Sequence, residues 1–165
     1  MKTASGLVAY CRRQLGKPYW FGTFGNTTTV ELYEKKKQEY PSQYEAEDFL
    51  LQLGSRAHDC SGLVKGYFWS EAPDAEPVYA SGGFPDISAN GIAEKCGATE
   101  DMAAMPDVPG LLVFMPGHVG VYVGGGRVIE ARGHRWGVVE TALAERPWSR
   151  WGRCPGLAYE EEDNT

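Results

Sequence analysis

Asp59-Cys60-Ser61-Gly62-Leu63-Val64 puts a thiol where a helix should begin, and Gly117-His118-Val119-Gly120 puts an imidazole at the start of a strand. A cysteine nucleophile needs a base, and the two can be far apart in sequence yet adjacent in a fold. Read together, the two stretches predict a thiol hydrolase.

Working outward from Cys60, Leu63, Val64, Tyr67 and Phe68 continue a helical stripe that should end near Pro73. Cys60 then sits at the helix start, where backbone N–H groups are unpaired and partly positive. That setting favours thiolate and predicts a lowered thiol pKa. The same N–H groups, including that of Cys60, could hold an oxyanion during acyl transfer. The bland alternative is a buried, inert cysteine. Asp59 before it and a strand-borne histidine after it weigh against that alternative.

Working outward from His118, Val119, Val121 and Val123 alternate with His118, Gly120 and Tyr122. The valines belong to a core, so His118 should face the other way, with Gly120 leaving open space beside it. The next strand carries Val128, Ile129 and Ala131. For Ile129 to share the valine face it must pair with Val121, which predicts a three-residue loop at Gly124–Gly126. Glu130 then falls opposite Gly120, diagonal to His118 and within reach of it. A two-residue loop would turn Glu130 into the core, where an unpaired carboxylate is costly. The pattern predicts a Cys60–His118–Glu130 triad, with Glu130 orienting the imidazole. The alternative is a surface Glu130 paired with Arg127 or Arg132. His58 and His134 compete as bases. His58 is close to Cys60 in sequence and constrained, and His134 lies in a polar loop and is expected to be solvated. A metal site built from His58, Cys60 and His134 lacks a recognised spacing. Trp136, Trp148 and Trp151 read as packing residues.

Elsewhere, Leu7, Val8, Cys11 and Leu15 share a face of an N-terminal helix, with Ser5 as N-cap, Gly16 as stop and Pro18 beyond it. Residues 17–25 are aromatic and glycine-rich, a loop lining something. Residues 26–57 look like an insertion: a helix from Val30 to Tyr40 ended by Pro41, with Lys35, Lys36 and Lys37 mostly solvated, then a short helix from Glu45 to Leu53 closed by Gly54. Residues 74–109 read as irregular, with a helical turn between Ile87 and Cys96. From Gly110 the pattern is short strands: Leu111–Met115, His118–Val123, Arg127–Ala131 and Gly137–Thr141. No helix follows Gly124-Gly125-Gly126, so the triplet is a hairpin turn and not a phosphate loop. One domain is expected over residues 1–159, followed by a frayed acidic tail at 160–165.

The 165 residues suit one domain with a sizeable core. A formal net charge of -6 without a basic stripe argues against a nucleic-acid partner. No apolar run is long enough to span a bilayer. Met1 to Ser5 leads straight into a helical pattern, so no secretory leader is expected there. The four cysteines, Cys11, Cys60, Cys96 and Cys154, form no C-x-x-C pair, and free thiols are the expectation.

The two quoted stretches, the second continued through Val121-Tyr122-Val123-Gly124, closely resemble the NlpC/P60 family of bacterial cell-wall cysteine peptidases. Gly16-Lys17-Pro18-Tyr19 resembles that family's Gly-x-Pro-Tyr element. The resemblance implies a papain-like α+β fold, with N-terminal helices on a small antiparallel barrel-like sheet. It implies cleavage of peptidoglycan stem peptides, typically between D-γ-glutamyl and a diamino acid, with no metal or other cofactor. Cys60 would be nucleophile and His118 base. Tyr19 would line the site near the oxyanion, and Asp59 and Ser61 would touch substrate, Asp59 at a free amino end. Two features depart from the pattern. The third catalytic position is usually His, Asn or Gln and here would be Glu130, whose charge should stabilise imidazolium and thiolate. Residues 26–57 are longer than usual and would reshape the cleft. The same machinery could serve an N-acetylmuramoyl-L-alanine amidase or an amide transferase, and a non-catalytic wall-binding module is a further class. A monomer is expected, acting in the cell wall or extracellular space, or delivered by phage lysis.

Overall fold

A computed structural model describes residues 1–160; of the expected acidic tail, only Glu160 falls within them. The element order is α1 (Ala4–Gln14), β1 (Phe24–Thr27), α2 (Val30–Glu39), β2 (Arg56–His58), α3 (Cys60–Trp69), α4 (Ala89–Lys95), β3 (Leu112–Met115), β4 (His118–Gly124), β5 (Arg127–Ala131), β6 (Val138–Ala142) and β7 (Arg150–Gly152). The fold is α+β. The main sheet is antiparallel with strand order β6-β5-β4-β3-β7, and β1 and β2 form a separate ribbon. Among the described residues no helix is long and apolar enough to cross a membrane.

Two apolar layers hold the sheet. On one face Val119, Val121, Ile129 and Phe114 pack against Leu7 and Cys11 of α1, Leu63 and Val64 of α3 and Ile92 of α4. On the other, Val113, Tyr122 and Val128 pack against Trp148 and Tyr159. The valines of β4 therefore face the helices, and the alternate residues face a second buried layer, not solvent. Gly120 does not leave open space: a Cβ there would lie 2.8 Å from both Trp148 and Val128, so the tryptophan fills that place.

Several boundaries move for local reasons. The N-cap of α1 is Thr3, not Ser5, because the Thr3 hydroxyl accepts the Gly6 N–H at 2.9 Å. Tyr10 and Gln14 complete its buried face, while Leu15 is exposed. Helix α3 stops at Trp69, well before Pro73, with Ser70 as C-cap. The second helix expected over Glu45–Leu53 is one 3₁₀ turn at Phe49–Gln52. Phe49, Trp20, Tyr44 and Ala57 make a small core of their own, apart from the two sheet layers.

The β4–β5 hairpin reaches the expected register by a different route. Val121 pairs with Ile129, yet the loop is the two residues Gly125 and Gly126 between a Gly124–Arg127 pair. Both have positive φ, 61° and 75°, as a primed two-residue turn requires. A bulge between Tyr122 and Gly124 adds the residue that restores the phase. The short loop therefore does not turn Glu130 toward the helices.

Candidate active site

Asp59 caps α3: its Oδ1 accepts the Gly62 N–H at 2.7 Å and its Oδ2 accepts the Gly22 N–H at 2.9 Å. One carboxylate thus fixes both the helix start and the loop before β1. Gly62 permits the close approach, since a Cβ there would lie 1.9 Å from the Thr23 carbonyl oxygen. These contacts present Cys60 at the first turn of α3.

His118 is presented by the opposite element. Pro116 and Gly117 form the two-residue turn between β3 and β4, closed by the Met115–His118 pair, with Gly117 at φ 71°. Asn90 Oδ1 of the short helix α4 accepts the Gly117 N–H at 2.9 Å and steadies this turn. The Cys60 thiol donates to the Gly117 carbonyl across 3.8 Å and lies by the Val119 N–H. The fold therefore brings the sulfur to the backbone on both sides of His118.

Glu130 lies beside His118 as the strand pairing requires, with Glu130 Oε1 2.8 Å from His118 Nε2. Glu130 is fully buried. It pairs neither with Arg127, which goes to Glu140, nor with Arg132, which lies over the Trp136 ring. Its counter-ion is Arg146, whose Nε and Nη2 donate to it at 3.0–3.3 Å, while Thr141 Oγ1 donates to Oε2 at 3.2 Å. Burial pushes the Glu130 carboxyl up, but the hydrogen bonds from His118 and Arg146 outweigh it and hold it below the usual carboxylate range. An ionised carboxylate only accepts, so Nε2 of His118 carries the proton and Nδ1 is left as the basic nitrogen. The Trp148 ring stacks on the imidazole at 5.4 Å between centroids and 14° between planes, which fixes its plane.

The lowering of the Cys60 thiol pKa expected from its place at the helix start does not hold. Burial and the neighbouring Asp59 carboxylate push it up to about 11, against the opposing pull of the Val119 and Ser61 N–H groups and of Lys65. The helix-start effect is real in sign and smaller than the cost of removing a thiolate from water.

A cleft of about 540 Å³ opens over Cys60, with Tyr19, Asp59, Ser61, Lys65 and Asn90 on its walls. The Tyr19 hydroxyl is raised, first by burial and then by Asp59 and Cys60, so it stays protonated as a donor. Ser61 Oγ donates to Asp59 Oδ1 at 3.5 Å, which places both at the cleft with Asp59 already engaged by two backbone N–H groups. The 26–57 segment supplies part of the wall: Lys36, expected to be solvated, turns into the cleft. Lys65 is buried and paired with Asp86 at 2.7 Å.

The competing histidines are placed elsewhere. His58 is fully buried, hydrogen-bonded to Gln14 Oε1 at 2.9 Å, and burial drives its pKa down to about 3. His134, expected to be solvated, stacks on Phe49 at 4.0 Å and pairs with Asp48. No group of three or more His, Cys, Asp or Glu side chains among the described residues could hold a metal ion. Sequence reasoning did not reach Arg146, Asn90 or Lys65. A buried Glu130 demanded a cation, and Arg146 in Glu145-Arg146-Pro147-Trp148 was the signal available for one of them.

Fold and site together define an α+β protein that seats a helix-start thiol against the backbone flanking a strand-borne histidine, whose imidazole is backed by a carboxylate. Residues 16–155 match the NlpC/P60 family, and the chain belongs to it. Solved structures share the fold. NlpC2 from Trichomonas vaginalis superposes with TM-score 0.56 at 18% identity, over 92% of this chain and 46% of that one. The P60 domain of the M. avium subspecies paratuberculosis antigen MAP1204 gives 0.54 at 20% identity, over 91% and 93%. The NlpC/p60 domain of the peptidoglycan hydrolase SagA gives 0.52 at 15%, over 91% and 97%. The chain thus spans less than half the length of the Trichomonas protein. No curated protein matches the sequence.

Proposed function

We propose that this protein is a cysteine peptidase that hydrolyses amide bonds in peptidoglycan stem peptides through an acyl-enzyme, with the bond from D-γ-glutamyl to a diamino acid as target. The observation that carries the reading is the Cys60 sulfur against the Gly117 and Val119 backbone on either side of His118, with His118 Nε2 held 2.8 Å from Glu130. The family membership supplies the substrate class.

At rest Cys60 is a neutral thiol. As substrate fills the cleft, the thiol proton passes to His118 Nδ1 and the sulfur attacks the carbonyl carbon. The oxyanion forms by the Cys60 N–H at the start of α3, and the Tyr19 hydroxyl is a second donor for it. Collapse breaks the C–N bond, and the imidazolium gives its proton to the leaving amine. Water then loses a proton to His118, attacks the thioester and releases the acid, and the thiol recovers its proton. Asp59 takes a free amino end of the peptide, and Ser61 a polar group beside it. The 26–57 segment, read as an insertion in one catalytic domain over residues 1–159, narrows the substrate range through Lys36. Every group comes from one chain, so a monomer suffices. Action is in the wall or outside the cell, or after release by lysis.

The test is digestion of purified peptidoglycan fragments with mass spectrometry of the products, beside a Cys60→Ala control. New stem-peptide fragments that vanish in the control, with the cut at the γ-glutamyl bond, are expected. Release of intact stem peptides from the sugar would replace this reading with an amidase. No cleavage of several wall types by a protein with alkylatable Cys60 would overturn the substrate class.

A further inference from the structure

We propose that Arg146 is a positioning residue that sets the proton count of the His118–Glu130 pair, holding Glu130 ionised while His118 is neutral so that the imidazole can serve as a base backed by a carboxylate. This rests on the Cys60–His118–Glu130 reading.

Glu130 has no exposed surface, and it lies on β5 between β4 and β6. A buried carboxylate next to a neutral imidazole is expensive. With only His118 beside it, the cheapest arrangement is one proton shared by the pair, as Glu130 carboxylate with imidazolium or as neutral acid with neutral imidazole. In either form His118 Nδ1 does not act as a base backed by a carboxylate. The pair would release that proton only at higher pH, because release leaves a lone buried anion.

Arg146 changes that balance from a different part of the chain. Its Nη2 meets Glu130 Oε1 at 3.0 Å, and its Nε meets Oε1 at 3.2 Å and Oε2 at 3.3 Å. The guanidinium is always charged. It compensates Glu130 whether or not His118 carries a second proton, and Thr141 on β6 supplies a further donor at 3.2 Å. The charged and titratable groups that act on Glu130 are His118 on β4 and Arg146 in the segment after β6, while Asp59 and Lys65 act on Cys60 at the start of α3. Asp59 is tied to backbone N–H groups and Lys65 to Asp86, so neither takes the place of Arg146 at Glu130. The segment that carries Arg146 is fixed at its far end by Trp148, which packs on the His118 ring. A single stretch, Arg146 to Trp148, therefore controls both the charge behind the imidazole and its plane.

The experiment is a pH titration of the histidine ring signals by NMR, with the three histidines assigned through His118→Gln. It needs no substrate, so its failure is separate from failure of the peptidase reading. Arg146→Met is expected to move the His118 transition up by about one pH unit, the scale of a neighbouring guanidinium. Arg146→Lys, which keeps the charge and loses the fork, should move it less. In a Glu130→Gln background the Arg146→Met shift should shrink severalfold. A folded Arg146→Met whose His118 transition stays put or falls would overturn the proposal, as would an equal shift with and without Glu130. Should Arg146→Met fail to fold, an unmoved transition in Arg146→Lys overturns it.

Discussion

At the scale of single residues, the site separates what residue type announces from what surroundings decide. Cys60, His118 and Glu130 were legible from the sequence because a thiol at a helix start, a histidine off the valine face and a strand partner in phase all converge. The ionisation of Cys60 was not legible. It depends on how much water the fold removes from the sulfur and on Asp59, whose carboxylate serves structure as N-cap and works against the thiolate. Asp59→Asn should keep a capping oxygen while removing the charge. The Cys60 thiol, pushed up to about 11, should then titrate at lower pH, so its alkylation by iodoacetamide should speed up severalfold near neutrality. A pH series of alkylation rates checks this, and an unchanged midpoint would mean that Asp59 acts on Cys60 through structure alone.

At the scale of elements, helix α3 and the β4–β5 hairpin show where periodicity suffices and where it does not. The valine alternation of β4 and the Val121–Ile129 pairing follow from the period of a strand. The loop length does not, because a bulge and a two-residue turn give the same phase as a three-residue loop. The ribbon of β1 and β2 and the edge strand β7 escaped notice because they are short and lack alternating apolar residues. The seat of α3 depends on a contact between segments that no local pattern reveals: Gly62 against the Thr23 carbonyl. Gly62→Ala, though it improves helix propensity, should destabilise the protein by about 2 kcal/mol, since backbone must move to admit the methyl group. It should also slow Cys60 alkylation by displacing the first turn. Urea denaturation reads the first effect, and a variant as stable as wild type would show that the loop at Thr23 yields freely.

At the scale of the whole molecule, the part least legible in the sequence is how the 26–57 segment is joined to the rest. Its small core around Trp20 and Phe49 is tied to the sheet side by His134, stacked on Phe49, and it adjoins β2, whose last residue is His58. His58 is buried among α1, β1 and β2, facing Tyr10 edge-on and bonded to Gln14. Reading it as a competing base missed that it is a structural group, because its burial comes from elements distant in sequence. Its consequence is a pH dependence of the entire fold. Burial lowers the His58 pKa to about 3, so the folded protein holds it neutral while the unfolded chain binds a proton below its ordinary value of 6.5. The unfolded state then carries more protons, and stability falls as pH drops below 6.5 toward 3, by up to about 1.4 kcal/mol per pH unit. Above 6.5 the contribution is constant. The carboxylates held low by partners, Glu130, Asp48 and Asp86, lose their contributions further down, as they protonate. Asp59, raised by burial, acts in the opposite sense and gains stability as it protonates, so the fall between about 6 and about 5 comes from His58 and not from the carboxylates. His58→Gln, which cannot charge, should flatten the fall of unfolding free energy across that interval even if it is less stable throughout. Urea midpoints measured at several pH values for both proteins decide the matter: parallel slopes would place the acid sensitivity in the carboxylates instead.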